Sequence, residues 1–257
     1  MGLGVLPQSG RPLEAPYGFV VALAAEARAF GRPVTLGRPR ALNAGQWLGV
    51  SGMGAERARP MALDLVSRGV QGLVSFGTCA GLAPGLAAGT LVCARVVCDE
   101  RGTSYEASSP QALLDVLPAC VPTDILLSVS RPVCAVADKA RLFARYGAWT
   151  ADMESAAVAR VACDNGLPFV AMRVVVDPFD ASVPERLIEG LDVWGRPRVG
   201  ALLAVLGTDR KQWRALWHLS RHFGKARRTL SGAAAALTGR SSIGGGRAVL
   251  GRKTDDR

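Results

Sequence analysis

Three carboxylates that lie far apart along the 257-residue chain could act together on one bond. Glu26 follows the first apolar run, Glu154 lies at the start of a helical pattern, and Asp177 ends the last long apolar run. Breaking an N-glycosidic bond requires an acid beside the departing base and a carboxylate or phosphate beside the sugar, since charge develops on both. A carboxyl buried at a strand end can keep its proton near neutral pH, which suits Asp177. Glu26 could then orient a water, and Glu154 could bind the ribose hydroxyls.

Each of these carboxylates also has a purely structural interpretation. Asp177 precedes Pro178, and Asp-Pro commonly opens a turn. Glu154 and Asp152 could be first-turn acids that the helix dipole stabilises, and Glu26 could be a solvated helix residue. Taken one at a time, these residues favour the structural interpretation. A site is therefore predicted only where several of them converge.

The elements that would position these residues follow from the apolar patterns. Strands are predicted at 17–23, 46–51, 72–76, 90–97 and 167–176, with weaker candidates at 125–128 and 132–137. Helices are predicted at 55–67, 152–163, 199–206 and 212–237. This alternation predicts a three-layer α/β/α domain around a central mixed sheet, followed by a C-terminal helical extension.

Such sheets bind ligands in the crevice beyond the carboxyl ends of their strands. Glu26, Gly52, the segment 77–81 and Asp177 are all expected there, because each follows a predicted strand. The segment 77–81 (GTCAG) is predicted to be a loop whose backbone N–H groups could bind a phosphate or a sugar. It matches neither the P-loop nor the dinucleotide-binding pattern of glycines.

Charge is unevenly distributed along the chain. Residues 196–257 contain 14 lysines and arginines and three aspartates, a net charge of +11, which leaves −1 for residues 1–195 out of the total of +10. The basic character therefore belongs to the C-terminal part, and no specific nucleic-acid site is predicted. The sequence indicates a catalytic domain at 1–195, a basic helical extension at 196–238 and a disordered tail at 239–257.

The spacing of cysteines and histidines argues against disulfide and metal chemistry. The six cysteines form no C-x-x-C pair and several lie in apolar runs, which is typical of reduced thiols in a cytosolic protein. His218 and His222 are four residues apart, but no third ligand is evident, so we expect no metal and no bound cofactor.

Taken in order, these segments resemble the nucleoside phosphorylase superfamily, in particular its methylthioadenosine/adenosylhomocysteine nucleosidase branch and, more closely, the bacterial hopanoid-associated phosphorylases. The resemblance spans residues 17–180. It is carried by VVALAAEA (20–27), SGMGAERA (51–58), SFGTCAGLAPGLAAGTLV (75–92), ADKARLFARYGAWTADMESAAVARVA (137–162) and LPFVAMRVVVDPFD (167–180). The segment DMESAAVA, followed by an apolar strand that ends in Asp, is more specific than GTCAGL.

The resemblance implies a role for each candidate residue. Asp177 matches the aspartate that protonates the purine at N7, and Glu26 matches the glutamate that orients the nucleophilic water. Met153 and Glu154 match the pair that packs under the ribose and binds its hydroxyls. Four further residues match the family's loop beside the sugar and the nucleophile: Gly77, Thr78, Cys79 and Ala80.

Two positions depart from the family pattern. Val176 stands where the nucleosidases usually have Ser before the acidic Asp, which removes a hydroxyl that could position the carboxylate. Cys79 and Ala80 stand where relatives have smaller or more flexible residues, and the added bulk could alter anion binding.

The resemblance implies an enzyme that removes adenine from an adenosylated lipid, adenosylhopane, and leaves a ribosyl or phosphoribosyl hopane. Two alternatives stay open: a nucleosidase or phosphorylase of methylthioadenosine or another soluble purine nucleoside, and a non-catalytic nucleoside- or lipid-binding protein. Glu26 favours water as the nucleophile, because a carboxylate repels a phosphate dianion. Phosphate as a co-substrate would need cationic ligands, for which Arg28 and Arg57 are the candidates.

The C-terminal helix bears on the partner and on the location. A helix with Trp213, Trp217, Phe223 and many cations could lie on the anionic inner face of a membrane and bring the site to a lipid substrate. It could equally be a solvated cover over the edge of the core. The protein is expected in the cytoplasm, either free or peripheral on the membrane. Relatives are commonly dimers or larger, which implies a homo-oligomer by analogy.

Overall fold

The structure is a computed structural model that describes residues 16–31, 33–43, 45–108, 117, 119–198 and 210–239. The helix predicted at 199–206 lies outside these ranges, as does the tail predicted from 239 onward, apart from Gly239 itself.

The strands of the described residues form one mixed sheet. In chain order they are β1 (Tyr17–Val21), β2 (Arg40–Ala41), β3 (Trp47–Val50), β4 (Gly72–Gly81), β5 (Leu91–Asp99), β6 (Ser104–Glu106), β7 (Val121–Ser128), β8 (Thr150–Asp152) and β9 (Phe169–Asp177). The helices are α1 (Ala24–Ala27), α2 (Ala55–Ser67), α3 (Val136–Tyr146), α4 (Ser155–Asp164), α5 (Glu185–Glu189) and α6 (Arg210–Leu237). A short 3₁₀ turn, Arg28–Phe30, follows α1.

The sheet is partly parallel and partly closed on itself. Strand β1 lies between β3 and β4, and β4 also pairs with β9, all in parallel. Strand β9 pairs antiparallel with β5, which continues in parallel to β7 and then to β8. Strand β8 returns antiparallel to the end of β4. The pairings thus close a circuit of five strands, and the carboxyl ends of β4 and β9 lie side by side in it.

Side chains that alternate along the strands face two helical layers. On one face α2 and α4 pack against strand residues that include Val20 and Leu73. On the other face α6 and the 3₁₀ turn pack against residues that include Phe19 and Phe76. The predicted α/β/α fold with a central mixed sheet is confirmed, together with its C-terminal helix.

Helix α6 covers the sheet with its apolar side. Its buried residues recur at the three- and four-residue spacing of one helix face: Ala226, Leu230, Ala233, Ala234 and Leu237. Lys225, Arg227 and Arg228 are exposed on the other side. This part of the predicted basic extension therefore contributes to the core, with Lys225, Arg227 and Arg228 directed outward.

Three details of the predicted elements are wrong. The segment 77–81 is the second half of β4 and not a loop, because its backbone pairs with β9 and, at its end, with β8. The segment 132–137 is not a strand but leads into α3, which the apolar pattern did not predict. The helix predicted from Asp152 begins at Ser155, because Asp152 itself belongs to β8.

The missed helix α3 has a physical explanation. Its inward side chains are Leu142, Phe143 and Tyr146, and Lys139 occupies the inward position one turn earlier. A cation at a core position interrupts the apolar periodicity from which helices are predicted.

Candidate active site

A cavity of about 590 Å³ lies at the carboxyl ends of β1, β4, β8 and β9. Glu26, Glu154 and Asp177 all line it. Each of these side chains is buried to at least nine-tenths, although they come from three separate parts of the chain. The structure therefore brings the three carboxylates singled out from the sequence around one volume.

The other candidate residues divide into two groups. Those that line the same cavity are Thr78, Cys79, Ala80 and Met153. Gly77 lies behind its wall, where an added Cβ would come within 2.6 Å of Arg173 Nη1 and 2.7 Å of Glu26 Oε1, so this position requires a glycine. Gly52 does not line the cavity. It forms the turn after β3 with a left-handed φ of 84°.

Glu26 is held by four hydrogen bonds at the end of β1. Its Oε2 accepts the backbone N–H groups of Ala22 at 3.1 Å and Leu23 at 2.9 Å. Its Oε1 accepts the N–H and the hydroxyl of Thr78 at 2.7 Å and 2.8 Å. These donors hold the carboxylate in one orientation. A residue that positions a water needs such a fixed orientation. Glu26 is thus not a solvated helix residue.

Glu154 connects α4 to the turn after β3. Its Oε1 accepts the N–H of Gly54 at 2.8 Å, and its Oε2 lies 4.0 Å from Arg173 Nη2. Burial and the nearby charge of Asp152 raise the pKa of Glu154 to about 7, against the lowering effects of Arg173 and the Gly54 N–H. Near neutral pH this carboxyl can therefore both donate and accept hydrogen bonds, which suits contact with hydroxyl groups.

Arg173 is a site residue that we did not single out from the sequence. It lies in β9, is only 1% exposed, and its Nη2 forms an ion pair with Asp152 Oδ2 at 2.5 Å. The same Nη2 donates to the hydroxyls of Ser75 at 2.5 Å and Ser155 at 3.0 Å. One signal was present in the sequence: a cation in the middle of an otherwise apolar strand needs a buried anionic partner.

Asp177 is the last residue of β9 and projects into the cavity beside Lys139. Burial raises the pKa of Asp177 to about 6, although a hydrogen bond from Lys139 and its charge act in the opposite direction. The carboxyl therefore keeps its proton well above the usual range of an aspartate. A proton donor that works near neutral pH needs this property.

The rest of the cavity wall is apolar. It consists mainly of Val129, Pro132, Val133, Val183, Leu187, Ile188, Leu191, Pro197, Leu219 and Phe223. The site thus has a polar floor that carries the carboxylates and a larger apolar part between α3, α5 and α6. A ligand that fills it combines a polar group with a sizeable apolar one.

The structure also bears on the candidate cations for phosphate, on metal binding and on membrane-spanning helices. Arg28 and Arg57 are exposed and do not line the cavity, whereas Arg173 and Lys139 each pair with a carboxylate that does line it, Asp152 and Asp177 respectively. Among the described residues, no group of three or more metal-binding side chains comes together. Within the same ranges, every helix is too short or too polar to cross a bilayer.

Comparison with known proteins agrees with this architecture. A model of the family described as the phosphorylase superfamily matches residues 44–196, which is more than half of the chain. No curated protein matches the chain.

Solved structures share the fold at low sequence identity. The 5′-methylthioadenosine/S-adenosylhomocysteine nucleosidase of Neisseria meningitidis has a TM-score of 0.62 at 16% identity, over 89% of this chain and 100% of that one. An S-adenosylhomocysteine nucleosidase of Streptococcus pyogenes gives 0.62 at 16% identity, with 90% and 98% covered. Futalosine hydrolase of Helicobacter pylori gives 0.60 at 15% identity, with 87% and 97% covered.

Proposed function

The chain belongs to the phosphorylase superfamily, a family of enzymes, and on that premise we propose that it cleaves the N-glycosidic bond between a ribose and adenine. The observation that carries this proposal is the position of Glu26, Glu154 and Asp177 around one cavity. An acid for the base, a ligand for the sugar hydroxyls and a carboxylate for the nucleophile are the groups that this reaction requires.

In the proposed reaction the bond between C1′ and N9 breaks, and its electron pair passes to the purine. Asp177 gives its proton to N7 of the base, as its raised pKa permits. A water held by Glu26 adds to C1′ and loses its proton to that carboxylate. The products are adenine and a ribose with a hydroxyl at C1′.

The charges on the cavity floor favour water over phosphate. Glu26, Asp152, Glu154 and Asp177 all line the cavity, while the buried cations beside them are already paired: Arg173 lies 2.5 Å from Asp152, and Lys139 lies 2.8 Å from Asp177. A phosphate dianion would meet more negative than positive charge there and would be repelled, whereas a neutral water would not. We therefore propose hydrolysis, with ribosyl rather than phosphoribosyl product.

The apolar part of the cavity supports a substrate with a large apolar group at the 5′ carbon of the ribose. Leu187, Ile188 and Leu191 from one side and Leu219 and Phe223 from the other can surround such a group. Together with the resemblance to the hopanoid-associated phosphorylases, this lining leads us to propose adenosylhopane as the substrate. Methylthioadenosine is the alternative, since a methylthio group is also apolar, but it would leave much of the cavity unfilled.

One assay tests this proposal. The purified protein is given methylthioadenosine or an adenosine with a long saturated 5′ chain, each with and without inorganic phosphate, and adenine release is measured. We expect kcat/KM to be at least about tenfold higher for the long-chain substrate, the effect of roughly two buried CH₂ groups. We also expect no dependence on phosphate.

Each alternative gives a different result in that assay. A preference for methylthioadenosine would exclude the lipid substrate, and a strict requirement for phosphate would exclude hydrolysis. No adenine release from either substrate would reject the N-glycosidase proposal and leave a nucleoside- or lipid-binding protein.

We further propose that an anionic membrane presents the lipid substrate. Leu219 and Phe223 of α6 line the cavity, while Lys225 and Arg228 are exposed on the same helix. Each cation near an anionic surface contributes about 1 kcal/mol. With the substrate in anionic vesicles, Lys225→Gln/Arg228→Gln should raise KM about thirtyfold, the equivalent of about 2 kcal/mol, and leave turnover of soluble methylthioadenosine unchanged. Equal KM values for both proteins would reject the membrane contact.

A further inference from the structure

Lys139 of α3 is a fully buried lysine in direct contact with Asp177. Its side chain is 0% exposed, and its Nζ lies 2.8 Å from Asp177 Oδ1. Burying an ammonium group is costly unless anions and hydrogen-bond acceptors replace its water. A lysine in this position therefore needs a compensating role in the native structure.

The remaining contacts of Lys139 are backbone carbonyls on the segment that follows β9. Its Nζ donates to the carbonyl oxygens of Pro178 at 2.7 Å and Ala181 at 2.6 Å, and lies 3.5 Å from the carbonyl of Asp177. The ammonium thus joins the side chain of Asp177 to the turn that carries it. Movement of the carboxyl would break contacts with an ammonium that has no water to replace them.

We propose that Lys139 is a positioning residue that fixes the carboxyl of Asp177 in the orientation required for proton transfer to the base. It holds Oδ1, which leaves Oδ2 for the base in the cavity. The residue before Asp177 is Val176, whose side chain offers no hydroxyl for this purpose. The anchor of the acid therefore comes from α3 instead of from its own strand. This inference rests on the proposed function.

The charge of Lys139 also acts on the proton of Asp177. An ammonium in contact favours the ionised carboxylate, so removal of its charge should raise the pKa of Asp177 by about 1–3 units. The other titratable groups near the pair are Cys79 and Cys134, whose pKa burial raises, the exposed Glu185, and Asp138, which pairs with Arg141. The two thiols stay neutral over the relevant range, which leaves Lys139 as the dominant charge in contact with the acid.

The test compares pH profiles of kcat/KM for adenine release. Lys139→Gln keeps a hydrogen-bond donor and removes the charge, whereas Lys139→Arg keeps the charge. Because activity requires protonated Asp177, the alkaline limb should move upward by about 1–3 pH units in the Gln variant and stay within a few tenths in the Arg variant. The maximal rate should fall by about ten- to a hundredfold in both, since neither side chain reproduces the position of Nζ.

Arg141→Gln is the matched control, because Arg141 lies on the same helix, is exposed and pairs with Asp138. Its profile should overlay that of the wild type. The role of Lys139 would be rejected if the alkaline limb does not move in Lys139→Gln, or if it moves by the same amount in Lys139→Arg. If Lys139→Gln does not fold, Lys139→Arg provides the test, because an unchanged maximal rate in that variant would reject the positioning role. Wild-type protein that releases no adenine would instead reject the proposed function.

Discussion

Asp177→Asn should lower the rate of adenine release by about 10²–10⁴-fold while substrate binding persists, because the amide keeps the shape of the carboxyl but its N–H protons are too weakly acidic to be transferred to the base. In the structure Asp177 is the carboxyl whose pKa burial raises to about 6 and which projects into the cavity. The measurement is single-turnover adenine release, combined with titration of the substrate against the inactive variant.

Asp180→Asn provides the control for this experiment. Asp180 lies three positions further on, in the turn after β9, and is exposed. Its replacement makes the same chemical change without affecting the cavity, so wild-type turnover is expected. If Asp177→Asn also turned over at the wild-type rate, Asp177 would be excluded from the mechanism.

Arg173→Met should destabilise the protein by about 3–5 kcal/mol, as expected when one partner of a buried ion pair is removed. Asp152 and Arg173 are each 1% exposed at the side chain and lie 2.5 Å apart. Methionine fills part of the space but leaves the charge of Asp152 without its cation. The hydroxyls of Ser75 and Ser155 would also lose a donor. Urea unfolding monitored by circular dichroism measures the change in the free energy of unfolding.

Arg160→Met is the comparison for this loss. Arg160 lies in α4 and pairs with Asp164, but both side chains are more than half exposed. Surface pairs of this kind contribute about 0–1 kcal/mol. Equal destabilisation by the two substitutions would show that the ion pair between Arg173 and Asp152 does not support the floor of the site.

Much of the fold was predictable because its signals are local. A strand such as β9 is buried on both faces, so it consists of an apolar run, interrupted only by Arg173, that ends at Asp177. Helix α2 has its apolar residues at regular helical spacing, and its predicted bounds agree with the structure. The rule that ligands bind at the carboxyl ends of strands predicted that Glu26 and Asp177 lie at one edge of the sheet. Glu154 was assigned to the same site from the chemistry of its carboxylate and from the family resemblance, because the strand that precedes it was not predicted.

The parts that were missed depend on contacts between distant residues. The end of β4 contains glycine at 77 and 81 and was interpreted as a loop, but pairing with β8 and β9 keeps it extended. Glycine at 77 is needed for the close approach of Glu26 and Arg173, which only the folded chain reveals.

The two buried cations were missed for a related reason. Arg173 and Lys139 interrupt apolar patterns, so periodicity alone treats them as exceptions. The burial of Arg173 is explained by its partner Asp152, and the burial of Lys139 by its partner Asp177. Since these partners come from other elements, local patterns could not identify them.

The most direct test is a crystal structure of Asp177→Asn with an adenosine that carries a saturated 5′ chain. We expect the ribose hydroxyls within hydrogen-bond distance of Glu154, N7 of adenine beside residue 177, and a water between Glu26 and C1′. The 5′ chain should lie among Leu187, Ile188 and Phe223. A nucleoside bound with its ribose away from Glu26 and Glu154 would contradict the account.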